Sequence, residues 1–192
     1  MGTFILFNDL FMKNFILLSV IFFWLPALHA QQAPPSADDV LQDAIAKAAT
    51  EHKNVFIIFH ASWCGWCHKM DTAMNDRSVK KYFDDNYVIR HLTVYESKGK
   101  ENLENPGALD LLIKYKGNNQ GIPYWLIFDK NGKLLADSKI RSAGQGLEAG
   151  ENSGCPANKQ EVDNFINVLK KTSSLKEAEL AIIYSRFREN EN

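Results

Sequence analysis

The stretch Val55-Phe56-Ile57-Ile58-Phe59-His60-Ala61-Ser62-Trp63-Cys64-Gly65-Trp66-Cys67-His68 decides how the rest of the chain is read. Val55 to Phe59 is a continuous apolar run of β-branched and aromatic residues, short enough for a strand buried on both faces. The segment from Cys64 to about Asn75 has helical character, so the two cysteines stand at a strand-to-helix junction, one helical turn apart. Such a pair can close a disulfide with its Cα atoms ~5.5 Å apart and cycle between dithiol and disulfide without rebuilding the backbone. Cys64 sits where unpaired amides and the helix dipole favour an anion, which draws a thiol pKa toward ~7 or below. Cys67, further inside the first turn, is expected to be less exposed and to attack only after a mixed disulfide has formed.

Outward from this junction the chain alternates helices and strands. Upstream, Asp38 or Asp39 is expected to cap a helix carrying Val40, Leu41, Ala44, Ile45 and Ala48 at helical spacing as far as about Glu51. Downstream, a break at Asp76 precedes a second helical piece over Ser78–Phe83, then a strand over Tyr87–Val94 and a crossover helix over Pro106–Tyr115. Tyr124–Phe128, Asp129-Lys130-Asn131-Gly132 and Lys133–Ala136 spell a hairpin, because Asn-Gly favours the positive φ of a tight turn. Arg141–Pro156, rich in Gly, Asn and Ser and without period, reads as a long loop. Lys159–Leu169 is amphipathic through Val162, Phe165, Ile166 and Leu169, and Leu175–Arg188 reads as a last helix. This alternation predicts an α/β fold, a sheet covered by helices.

The N-terminus has a different character. Lys13, the apolar run from Phe15 to Leu25, and then Pro26 to Ala30 follow the order of a secretory signal, expected over residues 1–30. The run falls short of the ~20 apolar residues that cross a bilayer, so no stable membrane insertion is expected after cleavage. Residues 31–37 read as a linker and 38–192 as the folded domain, placing the mature protein in the periplasm or outside the cell. With 45% hydrophobic and 23% charged residues among 192, the chain suits one globular domain. A formal charge of −1 and the lack of a Lys/Arg-rich block exclude nucleic acid as an expected partner. Three cysteines are too few for a disulfide scaffold, which points them toward chemistry.

On Trp63-Cys64-Gly65-Trp66-Cys67, together with Gly121-Ile122-Pro123 just before the hairpin, the chain resembles the thioredoxin superfamily from about Val40 to Leu169. It is most similar to exported thioredoxin-like proteins that carry Trp-Cys-Gly-Trp-Cys. The resemblance implies a thioredoxin fold: a central mixed β-sheet flanked by helices, here with an N-terminal helix and a long loop before the C-terminal helices. It also implies a cis peptide bond before Pro123, where the Ile122 backbone can pair with an extended substrate. The implied activity is thiol:disulfide exchange on protein or peptide disulfides, in the reductase or isomerase direction. Cys64 and Cys67 would be catalytic, with Trp63, Gly65, Trp66, Ile122 and Pro123 binding substrate. No cofactor beyond the Cys64–Cys67 disulfide and no metal is implied; a membrane-embedded electron donor and a monomeric protein are expected. Two departures stand out. Ile58 occupies the strand position where the family often buries an acid that helps deprotonate the resolving thiol, and Trp66 replaces the usual proline between the cysteines.

Other readings compete for the same residues. Cys64 to His68 also satisfies the c-type haem attachment pattern, although haem needs a helical cage that an α/β chain does not offer. Cys64, Cys67, His68 and Cys155 number enough for a zinc site but lack its spacing. A non-catalytic peptide-binding module on the same fold is a third alternative. His68 can shuttle a proton for Cys67 or simply face solvent, and His60 can tune Cys64 or serve packing. Met70 and Met74 read as core. Trp63 and Trp66 can offer an apolar landing surface for substrate. Cys155 is left without a partner inside the chain and is expected as a free thiol in a loop walling the groove.

Overall fold

The computed structural model describes residues 33–191; the signal expected over 1–30 lies outside them, as do the first two residues of the expected linker. Helix α1 (Ala37–Glu51) opens the fold, two or three residues earlier than a cap at Asp38 or Asp39 would place it. Its cap is Ser36 rather than Asp38 or Asp39: Ser36 Oγ accepts from the Asp39 N–H at 3.1 Å, and Asp39 Oδ2 accepts from Ser36 Oγ at 2.6 Å. The two aspartates fall in the first turn, where their charge favours the helix dipole.

Strand β1 (Asn54–His60) leads into α2 (Gly65–Met74) and α3 (Lys80–Asn86), which starts and ends later than the expected Ser78–Phe83. Asp76 explains the delay: its Oδ1 accepts from both the N–H and Oγ of Ser78, holding those residues in a turn. Strand β2 (Tyr87–Thr93), α4 (Ala108–Lys114), β3 (Tyr124–Phe128) and β4 (Leu134–Asp137) follow near the expected places. The β3–β4 turn is held by Asp129, whose Oδ1 accepts from the N–H groups of Asn131 and Lys133, with Gly132 at φ 80°.

The sheet runs β2-β1-β3-β4, with β1 and β2 parallel and β3 antiparallel to both β1 and β4. Residue parity on the central strands divides the core into two layers. Phe56, Ile58, Trp125 and Ile127 face α2 and α3 and the two last helices, α5 (Lys159–Thr172) and α6 (Glu177–Arg188). Val55, Ile57, Phe59, Tyr124, Leu126 and Phe128 face α1 and α4. Both faces of β1 and β3 are therefore covered, as their unbroken apolar runs require. Phe165 on α5 packs 4.8 Å from Phe187 on α6, which attaches the last helix to the core. Each such buried Phe contributes roughly 1.5–3 kcal/mol.

The Arg141–Pro156 loop is more ordered than its composition suggested. Strand β5 (Lys139–Ile140) pairs antiparallel with β6 (Glu151–Asn152) in a second, two-stranded sheet, and the residues after β6 turn inward. Ser153, Cys155 and Ala157 are buried. No helix among the described residues is long and apolar enough to cross a membrane.

Candidate functional site

The site forms where β1 ends and α2 begins. Cys64 is the N-cap of α2, with φ −80° and ψ 99°, and its Sγ accepts from the Cys67 N–H at 3.1 Å. Cys64 and Cys67 are joined by a disulfide with Cα atoms 5.2 Å apart. Both are buried, at 3% and 1% exposure, in a small cluster with Ala61 on which Ile122 packs. The helix N-terminus and the Cys67 amide are so placed that a thiolate on Cys64 would be stabilised after reduction. Ile58 lies in the core beneath, paired in register with His91 of β2.

The loop before β3 closes over the disulfide. The Ile122–Pro123 bond is cis, Gly121 takes φ 76°, and the Ile122 carbonyl oxygen lies 3.5 Å from Cys64 Sγ. That contact becomes an S–H···O hydrogen bond only in the dithiol, because a disulfide sulfur carries no hydrogen. Beside it opens a groove of about 230 Å³ lined by Trp66, Ile122, Pro123, Asn152, Gly154 and Cys155. Residues 152–155 therefore wall one side of the groove.

Trp63 and Trp66 stand out from the surface at 56% and 50% exposure. Trp63 is anchored by its indole N–H, which donates to the Tyr95 carbonyl at 2.7 Å, while Lys69 Nζ lies 4.8 Å from the Trp66 ring. Gly65 faces open space. Met70 and Met74 are core residues.

His68, His60 and His91 have partners of their own. The exposed His68 donates from Nε2 to the Ser62 carbonyl at 3.0 Å, tying the first turn of α2 to the loop before it. His60, half-buried at the end of β1, has its Nε2 3.2 Å from Thr93 Oγ1 and its ring 4.9 Å from that of His91, which in turn meets Asp71 Oδ1 at 2.7 Å. Burial, reinforced by neighbouring His91, holds the His60 pKa below its usual 6.5.

Cys155 is a free thiol on a loop segment that lines the groove, as expected, and it is packed inward at 4% exposure. Burial pushes its pKa up to about 12, and Asn190 Nδ2 approaches its sulfur at 3.4 Å. The four residues counted toward zinc are not brought together: Cys64 and Cys67 bind each other, and among the described residues no group of three or more His, Cys, Asp or Glu is placed to hold a metal ion.

Two residues of the site carried no sequence signal. Glu96, just after β2, accepts from the Ser62 N–H at 2.6 Å and from Ser62 Oγ at 2.7 Å, clamping the turn that delivers Cys64. Partial burial pushes the Glu96 pKa up, but the Ser62 hydrogen bonds outweigh it and leave it below the ordinary carboxylate value. Asn152, hidden in a Gly/Asn/Ser-rich stretch, hydrogen-bonds to the cis-proline loop.

Residues 37–130 match the Thioredoxin-like family model. Among curated proteins, Protein disulfide isomerase-like 1-1 of Arabidopsis thaliana is 23% identical over 124 residues, which cover 60% of this chain and 24% of that protein. The chain thus spans less than a quarter of the length of that relative. A disulphide isomerase from Xylella fastidiosa Temecula1 is 18% identical, with a TM-score of 0.46 over 88% of this chain and 98% of that one. The C-terminal domain of Neisseria meningitidis DsbD in its oxidised form is 19% identical, with a TM-score of 0.43 over 73% of this chain and 99% of that one.

Proposed function

Because this chain belongs to the thioredoxin-like family through residues 37–130, we propose that it is a thiol:disulfide oxidoreductase acting on protein or peptide disulfides, in the reductase or isomerase direction. The observation that carries this reading is the Cys64–Cys67 disulfide at the N-terminus of α2, set against the Ile122–Pro123 loop. The Arabidopsis relative, named as a protein disulfide isomerase-like protein, is in keeping with it.

In the reducing direction the Cys64 thiolate attacks one sulfur of a substrate disulfide. That bond breaks, a Cys64–substrate mixed disulfide forms, and the departing substrate thiolate takes a proton. Cys67, deprotonated, then attacks Cys64 Sγ and releases the second substrate thiol. Two electrons and two protons have passed to the substrate, and the protein is left as the Cys64–Cys67 disulfide. A dithiol donor must reverse that state. With export directed by residues 1–30, a membrane-embedded protein relaying reducing equivalents to the periplasm suits this need. Isomerisation uses the same first step without net electron transfer. No dissociable cofactor or metal enters the cycle, and one monomer holds both cysteines. Trp63, Gly65, Trp66, Ile122 and Pro123 form the surface on which substrate lies, with apolar rings outside and main chain inside. His68 holds the Ser62 turn, so any proton shuttling by it would require release from that carbonyl.

Insulin reduction by dithiothreitol tests the reading. The protein is expected to accelerate precipitation of the insulin B chain, and Cys67→Ser is expected to accumulate mixed disulfides on Cys64 while Cys64→Ser accumulates none. No acceleration by wild type would overturn the enzyme, and equal trapping by both variants would overturn the assigned roles.

A further inference from the structure

One side chain of the second sheet is bonded almost wholly to the cis-proline loop. Asn152 Nδ2 donates to the carbonyls of Gln120 at 3.2 Å, Gly121 at 3.1 Å and Pro123 at 3.0 Å. Its Oδ1 accepts from the Gly154 N–H at 3.0 Å, and its own N–H donates to Gln120 Oε1 at 3.3 Å. The amide has two hydrogens for three carbonyls, so at least one bond is shared. Of the four consecutive carbonyls from Gln120 to Pro123, Asn152 engages three; the fourth, on Ile122, lies against Cys64 Sγ.

Strand β6 does not need this amide to stay in place. Ser153 donates from its N–H and its Oγ to the Ser138 carbonyl at 2.9 and 2.8 Å, and Trp125 Nε1 donates to the Gly154 carbonyl at 3.0 Å. Without the Asn152 amide the wall would stand, and the 120–123 segment would lose the donor that organises it.

We infer that Asn152 is a positioning residue that holds the 120–123 loop so that the Ile122 main chain is presented, beside Cys64, to the extended backbone of a protein or peptide disulfide. Resting on the oxidoreductase reading, this makes β6 a specificity element. It favours substrates that have a main chain to pair over small disulfides that have none.

Asn152→Asp and Asn152→Ala test this by steady-state turnover of a peptide disulfide and of bis(2-hydroxyethyl) disulfide. The aspartate keeps the size of the side chain and the acceptor for Gly154, but turns an anion toward three carbonyls. Peptide kcat/KM is expected to fall about tenfold in N152D, mainly through KM, the equivalent of one or two lost hydrogen bonds. The loss on the small disulfide should be smaller. The three carbonyl oxygens facing the carboxylate raise its pKa above the ordinary ~3.9, so lowering the pH from about 8 to about 5 protonates a growing share of it, and the peptide-to-small ratio of N152D, but not of N152A, should rise toward wild type. Equal losses on both substrates, or an N152D indistinguishable from wild type at the higher pH, would overturn the inference. A wild type inert on both substrates would instead overturn the oxidoreductase reading. The clamp would then be judged by hydrogen exchange over residues 120–124, with faster exchange in N152D upholding it and unchanged exchange overturning it.

Discussion

Replacing Arg141 with leucine should destabilise the fold far more than a partly exposed residue at the edge of a two-stranded sheet would suggest. Arg141 Nη2 donates to both carboxylate oxygens of Asp137, at 2.8 and 2.7 Å, and Nε donates to the Ala149 carbonyl at 3.1 Å. The Asp137 side chain is only 1% exposed and that of Arg141 19%. Asp137 also accepts the Lys139 N–H at 2.9 Å, so the pair anchors β5, and through it β6. Removing one partner of a buried pair leaves an uncompensated charge and costs ~3–5 kcal/mol; the residual solvent contact of Arg141 places this case near the lower end, at about 3 kcal/mol. With a urea m-value of ~2 kcal/mol per M, the unfolding midpoint should drop by about 1.5 M. Adding Asp137→Asn to Arg141→Leu removes the stranded charge and should bring stability back to within about 1 kcal/mol of wild type. Urea denaturation followed by tryptophan fluorescence measures all three proteins. A loss below about 1 kcal/mol in the single variant, or a double variant no more stable than it, would refute the reasoning.

Cys155 should resist iodoacetamide in the native protein at pH 8 and react once the chain is unfolded, because its thiol is buried and holds its proton up to about 12. The unfolded thiol gives up that proton near its ordinary value of 9.0, so the Cys155 contribution is present below 9.0 and lost as pH rises toward about 12. Stability measured across that window should fall more steeply in wild type than in Cys155→Ala; parallel curves would contradict this. His60 behaves in the opposite sense: its pKa is lowered from 6.5 by burial and by His91, so the unfolded chain takes up the proton first and stability falls as pH drops below 6.5. An NMR titration should place the His60 midpoint below 6.5, and a midpoint at or above that value would refute the assignment.

Much of the fold and the centre of the site could be read from local sequence, since local periodicity and stereochemistry govern them. The run Val55–Phe59 had to be a strand covered on both sides, and the parity of Phe56 and Ile58 against Val55, Ile57 and Phe59 divides the two core layers. A cysteine pair one turn apart at the start of a helix is able to close on itself, as the spacing alone indicates and the Cys64–Cys67 disulfide shows. Tertiary structure alone decided what surrounds that pair. Glu96 meets Ser62 across 34 residues of sequence, and Asn152 reaches the carbonyls around Ile122 across about 30, and neither contact leaves a periodic trace. The cap of α1 fell to Ser36 although two aspartates stood nearby, because only the residue just outside the first turn can meet the amides of that turn. Cys155 is the free loop thiol the sequence suggests, but its burial came from the tertiary fold, because residues 153–157 turn inward behind β6. A loop composition records the turns that a backbone can make, whereas burial depends on which distant surface the chain is then pressed against.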